Sequence, residues 1–353
     1  MAFPQEMNTT DRRRLALFGF LFIAAVAAVA AIFAVVVVKG GGGTASAETV
    51  REYNLEIVSK DIDYGNGNVW HAWTYRNADD PNDTGSVPGP TLVANVGEKL
   101  VVHVTNKLDL VHSFHTHMEN YSLENDGSQL NTITGIGAGA MIQPGGTWTY
   151  EFSPTRPGTF YYHCHSADGG LHITDHIHQG LYGAIIIHDK DEPSHPNEQV
   201  LFMGEMGRET EGDAVPPYIM NGMGIPGGEA TLETIFKEGG IGAVAEQFNK
   251  TVPVFDAKVN EELIIHLINI GDQIHTFHVH GVKLISREQL NGEPWPANVV
   301  PLTPGEVDSV SIAFTENQAA LWLFHCHVVA HADAGMIGLI NVTGPPEASA
   351  ATQ

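Results

Sequence analysis

Two short stretches concentrate the soft and borderline metal donors of this chain: "YYHCHSADGGLHITDHIHQGL", from Tyr161 to Leu181, and "LFHCHVVAHADAGM", from Leu323 to Met336. They contain the chain's two cysteines, Cys164 and Cys326, each fenced by a histidine on either side. A cysteine between two potential ligands is read as a ligand itself rather than as half of a disulfide. Upstream of each stretch lies a block of the form H-x-x-H-x-H: His112, His115 and His117, then His275, His278 and His280.

Strand geometry sorts these donors. Side chains two apart on a strand share a face, and side chains an odd number apart do not. His115 and His117 therefore project together, as do His278 and His280, while His112 and His275 face the other way. In each His-Cys-His the cysteine likewise faces away from its flanking histidines. Cys326 then joins His275, and His331 and Met336 follow on the loop to close around the thiolate. Two imidazoles, one thiolate and a weak axial thioether form the donor set of a blue-copper electron-transfer site. The first set is His112, Cys164 and His176. Leu181 takes the axial place there, because both copies share the frame H-x-x-x-G-[LM]-x-G. Leucine cannot ligate. His178 is the alternative to His176, and the repeat frame favours His176. Eight histidines remain on the opposite faces: His115, His117, His163, His165, His278, His280, His325 and His327. No mononuclear site uses eight imidazoles, whereas about three metal ions sharing them would.

The elements that must position these groups are duplicated. "VGEKLVVHVTNKLDLVHSFHTH" (96–117) and "VNEELIIHLINIGDQIHTFHVH" (259–280) keep one offset of 163 residues. Each reads as an alternating strand that turns at Asn106 or Asn269. A Pro-Gly turn and another strand follow in both, at Gln143 and at Thr303. A repeat of this length is a duplicated domain rather than a solenoid unit. Thirty-eight glycines and 19 prolines among 353 residues fit an all-β chain rich in turns. The expected architecture is two tandem Greek-key β-sandwiches. Domain 1 covers 48–190, domain 2 with its linker 191–345, and a disordered tail 346–353. A short surface helix is expected within "EATLETIFKEGGIGAVAEQF" (229–248).

With these four blocks in place the chain resembles the multicopper oxidases, specifically their two-domain, laccase-like branch, over nearly everything after residue 48. The resemblance implies cupredoxin domains and about five coppers per chain. It implies type 2 ligands at His115 and His278, and type 3 ligands at His117, His163, His165, His280, His325 and His327. It also implies a homotrimer with trinuclear sites between subunits, in which a small-molecule or metal-ion reductant gives electrons and O2 receives them. Tyr121 and Asp126 resemble the tyrosine and aspartate beside the cluster in such enzymes. Asp308 is a weaker candidate for that role and is expected on a strand surface. Two type 1 sets depart from the many two-domain members that keep one, which leaves open where electrons are received. The other readings are a copper nitrite reductase, a copper-binding electron carrier without oxidase activity, and a zinc protein.

A net charge of −24 argues against nucleic acid as a partner. Arg12, Arg13 and Arg14 precede an apolar run at 15–38 that is long enough to span a bilayer. By the positive-inside rule, everything after it lies outside the cytoplasm. The expectation is an uncleaved anchor followed by a glycine tether within 1–47, with a signal cleaved near Ala45–Ala47, or a twin-arginine export signal, as alternatives. His103 and His266 occupy equivalent places in the repeat and are expected to be structural. His71, His188 and His195 have no evident partner in the sequence and are expected to be solvated, and His172 lies in the longer first-domain loop.

Overall fold

Asn106 and Asn269, fully buried, show how the repeat is built. Asn106 Nδ2 donates to the carbonyls of Leu110 and Ile142, and its Oδ1 accepts from the Leu108 N–H. Asn269 does the same with Gln273, Leu302 and Gly271. A side chain that satisfies three backbone groups at once fixes the turn carrying the strand towards the histidines. The Pro-Gly turns close onto these asparagines. Gly145 (φ 75°) and Gly305 (φ 81°) adopt the left-handed conformation that glycine tolerates. Their N–H groups donate to the carbonyls of Asn106 and Asn269 respectively.

The computed structural model describes residues 49–344, apart from 191–193, 208, 213–214, 288–293 and some side chains of the helix 228–251. The segments 1–48 and 345–353, with the expected anchor, tether and tail, lie outside the described residues. The chain is mostly β, with two cupredoxin-like sandwiches. In the first half, a five-stranded sheet built on Val50–Asp63 faces a four-stranded sheet of Leu92–Asn95, Tyr182–His188, Gly158–His163 and His115–Thr116. In the second half, a six-stranded sheet built on Glu262–Asn269 and Val307–Ala313 faces a five-stranded sheet. That last sheet contains His275–Val279 beside Leu321–Cys326. Each sandwich has its own core, and a third apolar cluster, with Trp70, Tyr161 and Tyr182 against Phe202, Ile219 and Ile268, joins the halves. Thr210–Glu211, expected in the second domain, pairs with the edge of the first sheet at Val69–Trp70.

Among the described residues, four α-helices decorate the sheets: α1 (Gln129–Thr134), α2 (Ile173–His178), α3 (Gly228–Thr251) and α4 (Val329–Asp333). The helix expected within 229–248 is longer than read, and Gly240 (φ 68°, ψ −167°) divides it into two stretches. Helices α2 and α4 carry His176 and His331.

Candidate metal centres

The first triad is assembled from three separated segments. His112 is held by the ladder of His112–Ser113 with Met141–Ile142, Cys164 follows the strand Gly158–His163, and His176 sits on α2. Cys164 Sγ lies 3.6 Å from His112 Nδ1 and 3.5 Å from His176 Nδ1, and the two Nδ1 atoms are 3.2 Å apart. The point equidistant from all three is about 2.0 Å from each, the length of a metal–imidazole bond and slightly short for metal–thiolate. Both Nε2 atoms are buried without a hydrogen-bond partner. Burial, and then the neighbouring His176, pull His112 down to about 3, so its ring is neutral and free to ligate. Burial pushes the Cys164 thiol up to about 11. Trp73 packs edge-on against both imidazoles.

The second triad repeats the plan. Cys326 Sγ is 3.8 Å from His275 Nδ1 and 3.7 Å from His331 Nδ1, with the nitrogens 3.2 Å apart. The equidistant point is about 2.1 Å from each. Leu181 and Met336 correspond closely, both fully buried. Each donates its N–H to the carbonyl of the preceding histidine, His176 or His331. Each also accepts from the N–H of its own cysteine, Cys164 or Cys326.

The surroundings of the two triads differ. Glu205 Oε1 faces His275 Nε2 at 3.3 Å. Burial alone would lower His275, but the Cys326 sulfur and Glu205 raise it above the ordinary histidine value. Burial likewise opposes the Cys326 thiolate, but His275 and the N–H groups of Thr276 and Val328 bring the thiol below its ordinary value. Tyr218 stacks on His331, ring centroids 4.0 Å apart.

The remaining eight histidines form two quartets. His115, His117 and His163 converge, with His165 packed 4.8 Å from the His115 ring. His278, His280 and His325 converge, with His327 5.3 Å from the His278 ring. Tautomers follow from the partners. The Nδ1 of His115 and of His278 each lie 2.7 Å from a carbonyl oxygen, of Asp126 and Asn298. The Nδ1 of His163 and of His325 lie 2.9 and 2.8 Å from the carbonyls of the adjacent cysteines. A carbonyl only accepts, so these four Nδ1 atoms carry the hydrogen and their Nε2 lone pairs are bare. His163 Nε2 and His117 Nε2 approach to 3.2 Å, as do His325 Nε2 and His280 Nε2. Bare imidazole nitrogens gathered this closely suit a shared cation. Burial pulls His117 down to about 4, with help from its neighbours, and lowers His163 strongly. Among the described residues no hydrogen bond or ring contact joins one quartet to the other, and His117, His280 and His327 are exposed.

Tyr121 and Asp126 stand beside the first quartet as expected. Asp126 Oδ1 is 3.6 Å from His115 Nδ1 and accepts from the Tyr121 hydroxyl at 3.4 Å, while Ser128 donates to Oδ2. Asp308 corrects the sequence reading. It is buried on the same strand face as Val310 and Ile312 and accepts from the Ser286 hydroxyl at 2.7 Å, so it is no surface residue. His176, not His178, meets Cys164. His178 Nε2 faces Glu205 at 3.6 Å and Asp272 at 3.5 Å. His71, His188 and His195 are not without partners. They face Asp61, Glu198 and Glu262 at 2.8, 3.4 and 3.5 Å. His103 bridges Thr149 and Glu52, and His266 bonds Thr159 across the seam between the halves. Glu205, Trp73 and Tyr218 were not foreseen, because no spacing links them to the ligand blocks.

A family profile described as "Multicopper oxidase" matches residues 82–192, and a second with the same description matches 226–345, together more than half of the chain. Multicopper oxidase MmcO of Mycobacterium tuberculosis is 28% identical, the match covering 88% of this chain and 61% of that protein. Laccase-2 of Botryotinia fuckeliana is 28% identical, over 76% of this chain and 42% of that one. The chain thus spans less than two thirds of these relatives. A solved multicopper oxidase superposes with a TM-score of 0.64 at 29% identity, covering 84% of this chain and 90% of that one. A copper nitrite reductase from Nitrosomonas europaea superposes with a TM-score of 0.61 at 20% identity, covering 84% and 94%, a likeness of fold.

Proposed function

The chain belongs to the multicopper oxidase family, and from that premise we propose that it couples one-electron oxidation of a reducing substrate to the four-electron reduction of O2 to water. The substrate would be a phenol, an aromatic amine or a reduced metal ion. The observation that carries the reading is the pairing, in both halves, of a Cys-His-His triad with a histidine quartet that shares its His-Cys-His segment. Copper bound in these centres supplies the one-electron redox chemistry and the site at which O2 is reduced.

In this reading His112, Cys164 and His176, and His275, Cys326, His331 and Met336, hold type 1 copper. His115 and His278 hold type 2. His117, His163, His165, His280, His325 and His327 hold the type 3 pair. Each cysteine is joined through its own backbone to both flanking histidines, so the thiolate is also the covalent route from triad to quartet. Trp73 and Leu181 keep water from the first triad, and Tyr218 covers one ring of the second. Asp126 orients His115 through its backbone carbonyl and accepts at Oδ1 from the Tyr121 hydroxyl, which makes this pair the candidate proton route to the quartet.

Four imidazoles per quartet are too few for three coppers, and both quartets are open on one side. Two quartets from different copies complete one cluster in a cyclic homotrimer, giving about five coppers per chain. The apolar run 15–38 makes the site extracytoplasmic and is the candidate membrane anchor.

The test is to load the protein with Cu(II), count the metal, and measure O2 uptake with a panel of reductants. About five coppers per chain and O2 consumption support the oxidase. About two coppers with nitrite turnover would assign a nitrite reductase, and O2 inertness with every donor an electron carrier.

A further inference from the structure

Each histidine quartet has an apolar surface beside it, and the two surfaces have opposite shapes. Beside the first, Leu130 and Ile133 on α1 and Ile136 just after it are 48%, 81% and 49% exposed. Their spacing of three puts Leu130 and Ile133 on one side of α1, and Ile136 follows the left-handed Gly135 that ends it. Helix α1 is fastened to the quartet, since Ser128, its N-cap, donates to the carboxylate of Asp126, whose carbonyl accepts from His115 Nδ1. From Gly127 to Tyr150 no residue is charged.

Beside the second quartet is a pocket of about 350 Å3. Leu323, Val329, Ile337 and the edges of His280 and His325 line it, with Asp333 the one charged group among the described lining residues. From Ala319 to Ala332 no residue is charged. Apolar groups clustered on a surface mark a contact. A chain of net charge −24 repels its own copies, and the repulsion opposes contact least where both faces are neutral.

We propose that α1 of one copy seats in this pocket of the next, with Ile133 as the inserted side chain. The proposal rests on the shared-cluster reading above and names the contact that assembles it. Projection and pocket are different surfaces of one chain, so the contact is heterologous and closes into a ring. It brings the first quartet of one copy against the second quartet of its neighbour.

The test uses the copper-loaded full chain. Ile133→Cys and Val329→Cys are made singly and together and treated with a short bismaleimide; the native thiols Cys164 and Cys326 are buried. The double variant should give covalent dimers and trimers, a mixture of the two single variants dimers only, and each single variant alone monomers. Ile133→Glu should sediment as a monomer that keeps the blue absorption of both triads but loses about three of its five coppers. An Ile133→Glu protein that stays trimeric with full copper overturns the contact while the shared cluster stands. If Ile133→Glu stays trimeric and Val329→Glu, in the pocket itself, loses oxidation of a bulky phenol alone, the pocket is a substrate site and the contact is again overturned. A wild-type protein that is monomeric with about two coppers overturns the shared cluster and the contact with it.

Discussion

His266 stabilises the seam between the two halves only while it is neutral, and a fall in pH should expose this. It is 7% exposed, and its Nδ1 lies 2.7 Å from the Thr159 hydroxyl of the first half and 2.9 Å from Ser309 of the second. Burial, then the nearby His188 and Arg287, lower it from 6.5 to about 4. With the folded value depressed, the unfolded chain binds the proton first. The contribution is therefore complete above 6.5 and is lost as pH falls towards 4. At about pH 5 the loss is RT ln[(1 + 10^1.5)/(1 + 10^−1)], or about 2 kcal/mol, rising to about 3 kcal/mol below pH 4. His266→Gln keeps a donor and an acceptor but does not titrate. Urea unfolding of the copper-free protein at about pH 7.5 and about pH 5 should show wild type losing about 2 kcal/mol more than the variant, whatever the variant's own starting stability. Parallel losses in the two proteins would refute the reasoning, because they would mean that His266 titrates alike in the folded and unfolded chains.

Three other outcomes follow from the site. Asp126→Asn removes the carboxylate that accepts from Tyr121 and Ser128. It should slow O2 turnover on the order of tenfold to a hundredfold, while the rate at which reductant bleaches the blue band is unchanged. Asn106→Ala leaves the carbonyls of Leu110 and Ile142 without their donor. It should cost about 2–3 kcal/mol in denaturant unfolding and loosen copper at the first triad, whereas Asn269→Ala loosens the second. Chelation should lower the melting temperature, and returning free Cu(II) to about 100 times its dissociation constant should restore about 2.7 kcal/mol per site, read as a concentration-dependent melt.

The ligands were legible because a period of two separates them without any knowledge of tertiary contacts, and the duplication supplies the same assignment twice. Leu181 was placed for the same reason: its frame copies that of Met336, down to the backbone bonds it makes. What spacing could not reveal came from elsewhere in the chain. Glu205 ends a strand whose neighbours carry no ligand, and only the packing of Asp272 and His275 brings it to the site. Asp61 and His71 are opposite each other in an antiparallel pair, a register that sequence alone does not fix. Asp308 misled because an alternating strand with one acidic residue reads as half-solvated. In the structure Asp308 is on the face of the core residues Val310 and Ile312, and Ser309, on the other face, meets Thr159 of the first half. Both sides of that strand are therefore buried.

The two triads should differ in the direction their surroundings set. At the first, leucine stands where a thioether could donate, Trp73 covers the imidazoles, and the thiol is pushed up to about 11. The carboxylate near this triad is Asp168, which acts on both His112 and His176 but is half-buried and accepts from the Val111 N–H, so it favours the oxidised metal less than a buried carboxylate would. At the second, Met336 is available, Glu205 places a carboxylate 3.3 Å from His275 Nε2, and the thiol lies below its ordinary value. Each of these favours the oxidised state, so the axial residue and the electrostatics act in the same direction rather than cancelling. The first site should have the higher potential, by about 59 mV for every tenfold difference in preference. Cys326→Ser, which leaves the first site blue, and Cys164→Ser, which leaves the second, allow each to be titrated alone. Glu205→Gln in the Cys164→Ser background should raise the second site towards the first, and Met336→Leu should raise it further. Equal potentials, or the second above the first, would refute the assignment. If the order holds, an electron given to either site settles at Cys164, the triad without an axial donor.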